Sequence, residues 1–139
     1  MTWLLDTCVL SEYVKKTPNE RVIAWVDARP EARLSISVLT LAELLRGVVK
    51  KRASDPLRAE RLATWVMQVE ARFAGRILPF DQPVARVWAR RYGDAEVRGA
   101  TPPLMDSLIL ATAEAHGLTV VSRNLADFAG YGAIHNPWV

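Results

Sequence analysis

Four acidic residues invite a chemical reading because each one follows or interrupts an apolar run. Asp6 comes after TWLL (2–5), Glu43 lies in LTLAELLRG, Asp106 in TPPLMDSLIL (101–110), and Asp127 a few residues past TVV (119–121). A carboxylate is almost never fully buried without a partner, because removing it from water is costly. Four of them converging on one dry pocket cannot all stay ionised, since like charges a few ångströms apart force some to take up protons. A divalent cation removes that conflict. Mg²⁺ or Mn²⁺ takes hard oxygen ligands, keeps several waters and is commonly held by one or two carboxylates together with substrate phosphates. Such an ion lowers the pKa of bound water and stabilises the attacking and leaving oxygens of an in-line displacement, which is the chemistry of phosphodiester hydrolysis. Zinc is disfavoured: His116 and His135 are the only histidines and Cys8 the only cysteine, and no pair among them has ligand spacing.

Each acid also has a structural role open to it. Asp6 serves equally well as the N-cap of a following helix. Thr40 to Glu43 spell a capping box if a helix starts at Thr40, but Val38 and Leu39 extend the apolar run upstream and Ser37 is an earlier cap. That places Glu43 beyond the capping turn and favours a metal role. An exposed Asp106 in a first helical turn would gain about 0.3–1 kcal/mol from the helix dipole, yet Leu104, Met105, Leu108 and Ile109 argue against plain exposure. Asp127 and Asn124, taken singly, read as turn or cap residues. The joint occurrence favours a shared site. Cys8 reads as a small buried hydrophobe, no histidine being placed to activate it.

The elements that must position these residues alternate. TWLL, LSIS (34–37), ILPF (77–80) and TVV are candidate strands. A helix after Asp6 puts Val9, Leu10, Tyr13 and Val14 on one face, and Asn19 caps a second helix carrying Val22, Ile23 and Val26. VLTLAELLRGVVKK forms a third. Asp55-Pro56 opens a fourth with Leu62, Val66, Val69, Phe73 and the flanking Trp65 as its stripe; a fifth starts near Pro83 with Val84, Val87, Trp88 and Tyr92 inward; TPPLMDSLIL forms a sixth, apolar almost all round as a buried helix is. Strands alternating with helices predict an α/β fold with a mainly parallel sheet covered on both faces. In such sheets ligands bind beyond the carboxyl ends of the strands. Asp6 and the segment Ser122-Arg123-Asn124 with Asp127 lie at such ends, and the helices bearing Glu43 and Asp106 start at the same edge.

The length, with half the residues apolar, suits one domain over 1–139. There is no internal repeat or linker-like tract. The lone cysteine, the absence of a signal-peptide pattern and the lack of a membrane-length apolar run indicate a cytoplasmic protein. Eighteen basic against 15 acidic residues give a net charge of +3. This mild excess permits an anionic partner, and withdrawing four acids into one pocket leaves the remaining surface distinctly basic. Lys50, Lys51 and Arg52 complement the dipole at the end of the third helix or meet nucleic-acid phosphates. Trp25, Trp65 and Trp88 read as core residues; Trp3 and Trp138, near the termini, are open to an oligomer contact.

LLDTCVLSE (4–12), LTLAELLRG around Glu43, MDSLILATA (105–113) and VVSRNLADF (120–128) resemble, in order and spacing, the PIN-domain ribonucleases, specifically the toxins of bacterial VapBC-type toxin–antitoxin pairs, including the FitB-like branch. The resemblance implies an α/β/α sandwich, a Mg²⁺- or Mn²⁺-dependent endoribonuclease silenced by a small cognate antitoxin, contact with DNA only through the antitoxin complex, and a homodimer. Carried over residue by residue, the metal-holding and catalytic quartet is Asp6, Glu43, Asp106 and Asp127, with Thr7, Ser122 and Asn124 as polar positions lining the pocket. Cys8 departs from the Asn frequent at its position, and Ser122 stands where Thr is common. A competing reading is a PIN-like module that binds RNA or an antitoxin-like protein with little catalysis. A haloacid-dehalogenase-type phosphatase is excluded, because Cys8 stands where it needs a second Asp. For the antitoxin, a basic rim including Arg46 or Arg123 and apolar grooves between the third and fourth helices suit helix-in-groove docking.

Overall fold

Short β-rich runs and amphipathic stretches alternate along the chain as expected, and the strands pair in parallel. The computed structural model describes residues 1–124 and 132–139. Within them β1 (Trp3–Leu5), β2 (Leu34–Ser37), β3 (Ile77–Leu78), β4 (Thr119–Val121) and β5 (Ile134–His135) form one sheet in the order β3-β2-β1-β4-β5. All four pairings are parallel. The helices are α1 (Thr7–Ser11), α2 (Glu20–Asp27), α3 (Val38–Ser54), α4 (Pro56–Arg72), α5 (Gln82–Arg98) and α6 (Leu104–His116), with 3₁₀ turns at Glu12–Val14 and Glu31–Arg33.

Side chains alternate across a strand, so neighbouring residues of β1 and β4 feed different cores. Leu5 and Val121 join one cluster with Val22 and Val26 of α2, Leu44 and Val48 of α3, and Val66 and Val69 of α4. Leu4 and Val120 join another with Ile109, Leu110 and Ala113 of α6. Helices therefore cover both faces, the layering that a parallel sheet requires.

Local signals explain the boundaries. The side chains of Asn19, Ser37, Asp55 and Asp81 each accept a backbone N–H at the start of α2, α3, α4 and α5. Gly99 and Gly117, in the left-handed conformation, close α5 and α6.

Several expectations need correction. The strand at 77–80 is only Ile77–Leu78, because Pro79 has no N–H to give a ladder. The first helix is short and passes into a 3₁₀ turn, in which Glu12 turns inward while Tyr13 and Val14 are exposed. The sixth helix is buried at Ser107 and from Ile109 to Ala113, but Leu104 is exposed and Met105, Asp106 and Leu108 are half-buried. Its first turn emerges at the edge of the molecule, so it is not enclosed all round. β5 has no counterpart in the predicted strands: two residues carry no periodicity.

Candidate active site

The chain lays β1, β2 and β3 outward in one direction and then returns to place β4 on the other side of β1. The strand order reverses beside β1, and a crevice beyond the carboxyl ends at such a reversal is where open parallel sheets bind ligands. Leu5 pairs with Val121, and the Asp6 N–H continues the ladder to the Val121 carbonyl at 3.0 Å. This register sets Asp6 at the end of β1 against Ser122 at the end of β4. The Ser122 hydroxyl donates to Asp6 Oδ2 at 2.9 Å, and the Thr7 N–H donates to Asp6 Oδ1 at 2.8 Å. Asp6 is buried, Ser122 wholly so. The capping reading and the site reading of Asp6 thus coexist, since the carboxylate that caps α1 through Thr7 is also the one held by β4.

Ser37, the last residue of β2, caps α3 by accepting the Leu39 N–H at 3.0 Å. The helix therefore starts at Val38, not Thr40, and Glu43 lies in the second turn, beyond any capping box. There the Thr7 hydroxyl donates to Glu43 Oε1 at 2.6 Å. One continuous chain of contacts runs from Ser122 through Asp6 and Thr7 to Glu43 and joins β4, β1, α1 and α3. The Asn124 N–H reaches the Ser122 hydroxyl at 3.3 Å.

Cys8 also faces this cluster, its Sγ lying 3.8 Å from Asp6 Oδ2 and 3.7 Å from Ser122 Oγ. Burial first and the neighbouring Asp6 charge second push its thiol pKa up, against smaller lowering contributions from Arg123 and Ser122. A protonated thiol is a weak donor to the carboxylate and a poor nucleophile.

Asp106 is half-buried in the first turn of α6, and Asp127 lies outside the described residues. Among the described residues no group of three or more His, Cys, Asp or Glu side chains is gathered closely enough to hold an ion. The donors that do face the cluster are carboxylate and hydroxyl oxygens plus one protonated thiol. That chemistry fits a hard, extensively hydrated cation held by one or two carboxylates and does not fit zinc.

Glu12 was not singled out in the sequence, although it is only 1% exposed. Its carboxylate accepts from Lys15 Nζ at 2.6 Å and the Asn19 N–H at 2.9 Å, lies 3.6 Å from Arg123 Nη2, and meets the Trp138 side chain. Desolvation alone would push this carboxyl up; the Lys15 and Asn19 hydrogen bonds, the Lys15 charge and Trp138 outweigh it and hold the pKa below the usual carboxylate range. Glu12 thus ties the turn after α1 to the start of α2 and to the segment after Ser122. An acid three residues before Lys15 inside an apolar stretch was the available signal. Arg123 also lies over the Trp138 ring at 4.7 Å. Trp3 packs edge-on against Trp25, which stacks on His135 at 4.8 Å. Both terminal tryptophans are therefore partly buried in the chain's own packing.

Residues 3–132 match the PIN domain family. The chain is 41% identical to "Toxin FitB" of Neisseria gonorrhoeae over 97% of both chains. It is 37% identical to "VapC ribonuclease Y4jK" of Sinorhizobium fredii, covering 97% of this chain and 96% of that one. The crystal structure of FitAcB from Neisseria gonorrhoeae superposes with a TM-score of 0.91 at 39% identity, covering 99% of each chain.

Proposed function

The chain belongs to the PIN-domain family, and on that premise we propose that it is an endoribonuclease, the toxin of a type II toxin–antitoxin pair, that hydrolyses RNA phosphodiester bonds at the Asp6–Thr7–Glu43 cluster with a bound Mg²⁺ or Mn²⁺. The observation that carries this reading is the buried Asp6 carboxylate at the strand-order reversal, held from β4 by Ser122 and linked through Thr7 to Glu43.

Asp6, Glu43, Asp106 and Asp127 are the residues we assign to hold the ion. When bound, it supplies a more acidic water and charge stabilisation of the phosphate oxygens. The protein's own part is orientation. Ser122 and the Thr7 N–H fix both Asp6 oxygens, so the carboxylate does not reorganise during the reaction. The Thr7 hydroxyl fixes Glu43, and Asn124 bears on the Ser122 hydroxyl through its N–H. The same carboxylates are what an antitoxin cation would occupy to silence the enzyme. We assign residues 1–139 to a single domain, a homodimer to the active form, the cytoplasm to its location, and DNA contact to the antitoxin alone. No helix among the described residues is long and apolar enough to cross a membrane.

The test is cleavage of cellular RNA with Mg²⁺ or Mn²⁺, with and without EDTA, for wild type and for Asp6→Asn, Asp106→Asn and Glu43→Gln. EDTA should abolish cleavage, and each substitution should lower it by at least about 100-fold with folding retained. Full activity in the variants overturns the assignment, and RNA binding without cleavage in the wild type supports a binding module instead. Co-expression with the neighbouring reading frame should yield a co-purifying complex that does not cleave.

A further inference from the structure

Each of the helices α1–α5 begins on a side chain that accepts a backbone N–H of its first turn. Helix α6 begins instead on Pro103, and no side chain caps it. The first N–H groups of a helix have no partner within it, so an uncapped start is the part most prone to fray. Asp106 stands in that turn. Leu104 is exposed and Met105 and Asp106 are half-buried, so packing holds the turn only in part. The buried member is Ser107, 1% exposed. Its N–H donates to the Pro103 carbonyl at 3.0 Å and its hydroxyl to the Leu104 carbonyl at 2.5 Å. The same hydroxyl accepts the Trp88 indole N–H from α5 at 3.0 Å. Trp88 in turn stacks on Tyr92, with ring centroids 5.1 Å apart.

We propose that Trp88 and Ser107 are positioning residues for RNA cleavage: their hydrogen bond clamps the uncapped first turn of α6 to α5 and so fixes where Asp106 stands. The proposal rests on the nuclease reading above, in which Asp106 helps to hold the ion, and adds what keeps that carboxylate in place. A serine that served only its own helix would need the carbonyl bond alone. Here the hydroxyl uses donor and acceptor capacity together, and each bond polarises the other. The indole thus makes Ser107 a bridge between two helices. Asp6 and Glu43 have direct hydrogen-bonding supports in Ser122 and Thr7; the corresponding support for Asp106 acts through the backbone of its turn. A ligand carried on a fraying turn samples several positions, and its affinity for an ion falls with the share of time spent in the right one.

The experiment compares wild type, Trp88→Phe, Ser107→Ala and the double variant, with Val66→Ala in the core of the other sheet face as a destabilising control. Trp88→Phe keeps an aromatic ring for Tyr92 and removes only the N–H donor. Three quantities are read: Mn²⁺ affinity without RNA, from the free-ion signal in electron paramagnetic resonance; kcat and KM for RNA; and hydrogen exchange at the Ser107 and Leu108 amides. Each single variant should weaken Mn²⁺ binding and lower kcat by about 10-fold, the scale of lost outer support at a metal site, with KM little changed and the two amides exchanging faster. The double variant should lose no more than the larger single, because both remove one bridge. Val66→Ala should unfold more easily yet bind Mn²⁺ and cleave as wild type does. Wild-type Mn²⁺ affinity and kcat in Trp88→Phe and Ser107→Ala, or losses matched by Val66→Ala, overturn the proposal. A wild type that neither binds Mn²⁺ nor cleaves sinks the nuclease reading instead; faster amide exchange in Trp88→Phe then still upholds the clamp on α6, and unchanged exchange overturns it.

Discussion

Ser122 and Asp6, 116 residues apart in the chain, are joined by a buried 2.9 Å hydrogen bond across the β1–β4 ladder. The bond follows from register: Leu5 opposite Val121 puts the two polar residues that end these strands face to face. Ser122→Ala leaves Asp6 Oδ2 with only the distant Cys8 thiol among the contacts described above. The cost should be about 1–3 kcal/mol, the penalty of leaving a buried acceptor unmatched, with a fall of about 10–100-fold in RNA cleavage from a misoriented carboxylate. Ser122→Thr keeps the hydroxyl and should restore most of both. Urea unfolding and initial cleavage rates provide the two readouts.

Thr7 does a comparable service for Glu43. Its hydroxyl is 2.6 Å from the carboxylate, and a hydrogen bond to a charged group contributes about 1.5–3 kcal/mol. Thr7→Val, which retains the β-branched shape, should lower kcat by about 10–100-fold and raise the Mg²⁺ concentration needed for half-maximal rate; Thr7→Ser should stay near wild type. Equal metal dependence in Thr7→Val and wild type would place Glu43 outside the metal site.

Glu12 should govern the acid limb of stability. Its partners hold the folded pKa below the ordinary carboxylate value, so on acidification the unfolded chain binds the proton first. The stabilisation is complete above the unfolded pKa and drains away as pH falls through the lower folded one. Glu12→Gln should unfold about 1–3 kcal/mol more easily at neutral pH and show a flatter decline below pH ~5. Thermal unfolding across the acid range checks this, and parallel pH curves for the two proteins would refute it.

Much of this arrangement is legible in the chain because short-range rules agree with one another. Asn19, Ser37 and Asp55 cap the helices they were expected to cap, and Ser37 in particular decides that Glu43 is not a capping residue. Asp6 and Ser122 were placed at one sheet edge from strand ends alone. What the sequence hides is set by pairing across distance. The burial of Glu12 depends on Lys15, Asn19, Arg123 and Trp138 being brought around it from separate segments. Ile134–His135 becomes a strand only because β4 offers an open edge, with Val120 opposite Ile134. The sixth helix is apolar enough to suggest complete enclosure, yet its first turn, bearing Asp106, emerges from the packed layers.

Cys8 offers a test of how much the acidic cluster tolerates. Its thiol contacts, at 3.8 Å to Asp6 and 3.7 Å to Ser122, are weak ones beside the 2.9 Å hydroxyl bond that already serves the same oxygen. Cys8→Ala should therefore change cleavage by less than about threefold, an effect under ~1 kcal/mol. With the thiol pKa raised by burial and by the Asp6 charge, little thiolate is available near neutral pH, so modification by a disulfide reagent should be slower than for an exposed cysteine. Ser122→Ala removes one lowering contact from the thiol and should slow it further, whereas Asp6→Asn removes a raising charge and should speed it. Stopped-flow titration of the folded protein with a chromogenic disulfide gives the rates, and a thiol that reacts as fast as free cysteine would show that Cys8 does not sit against the carboxylate.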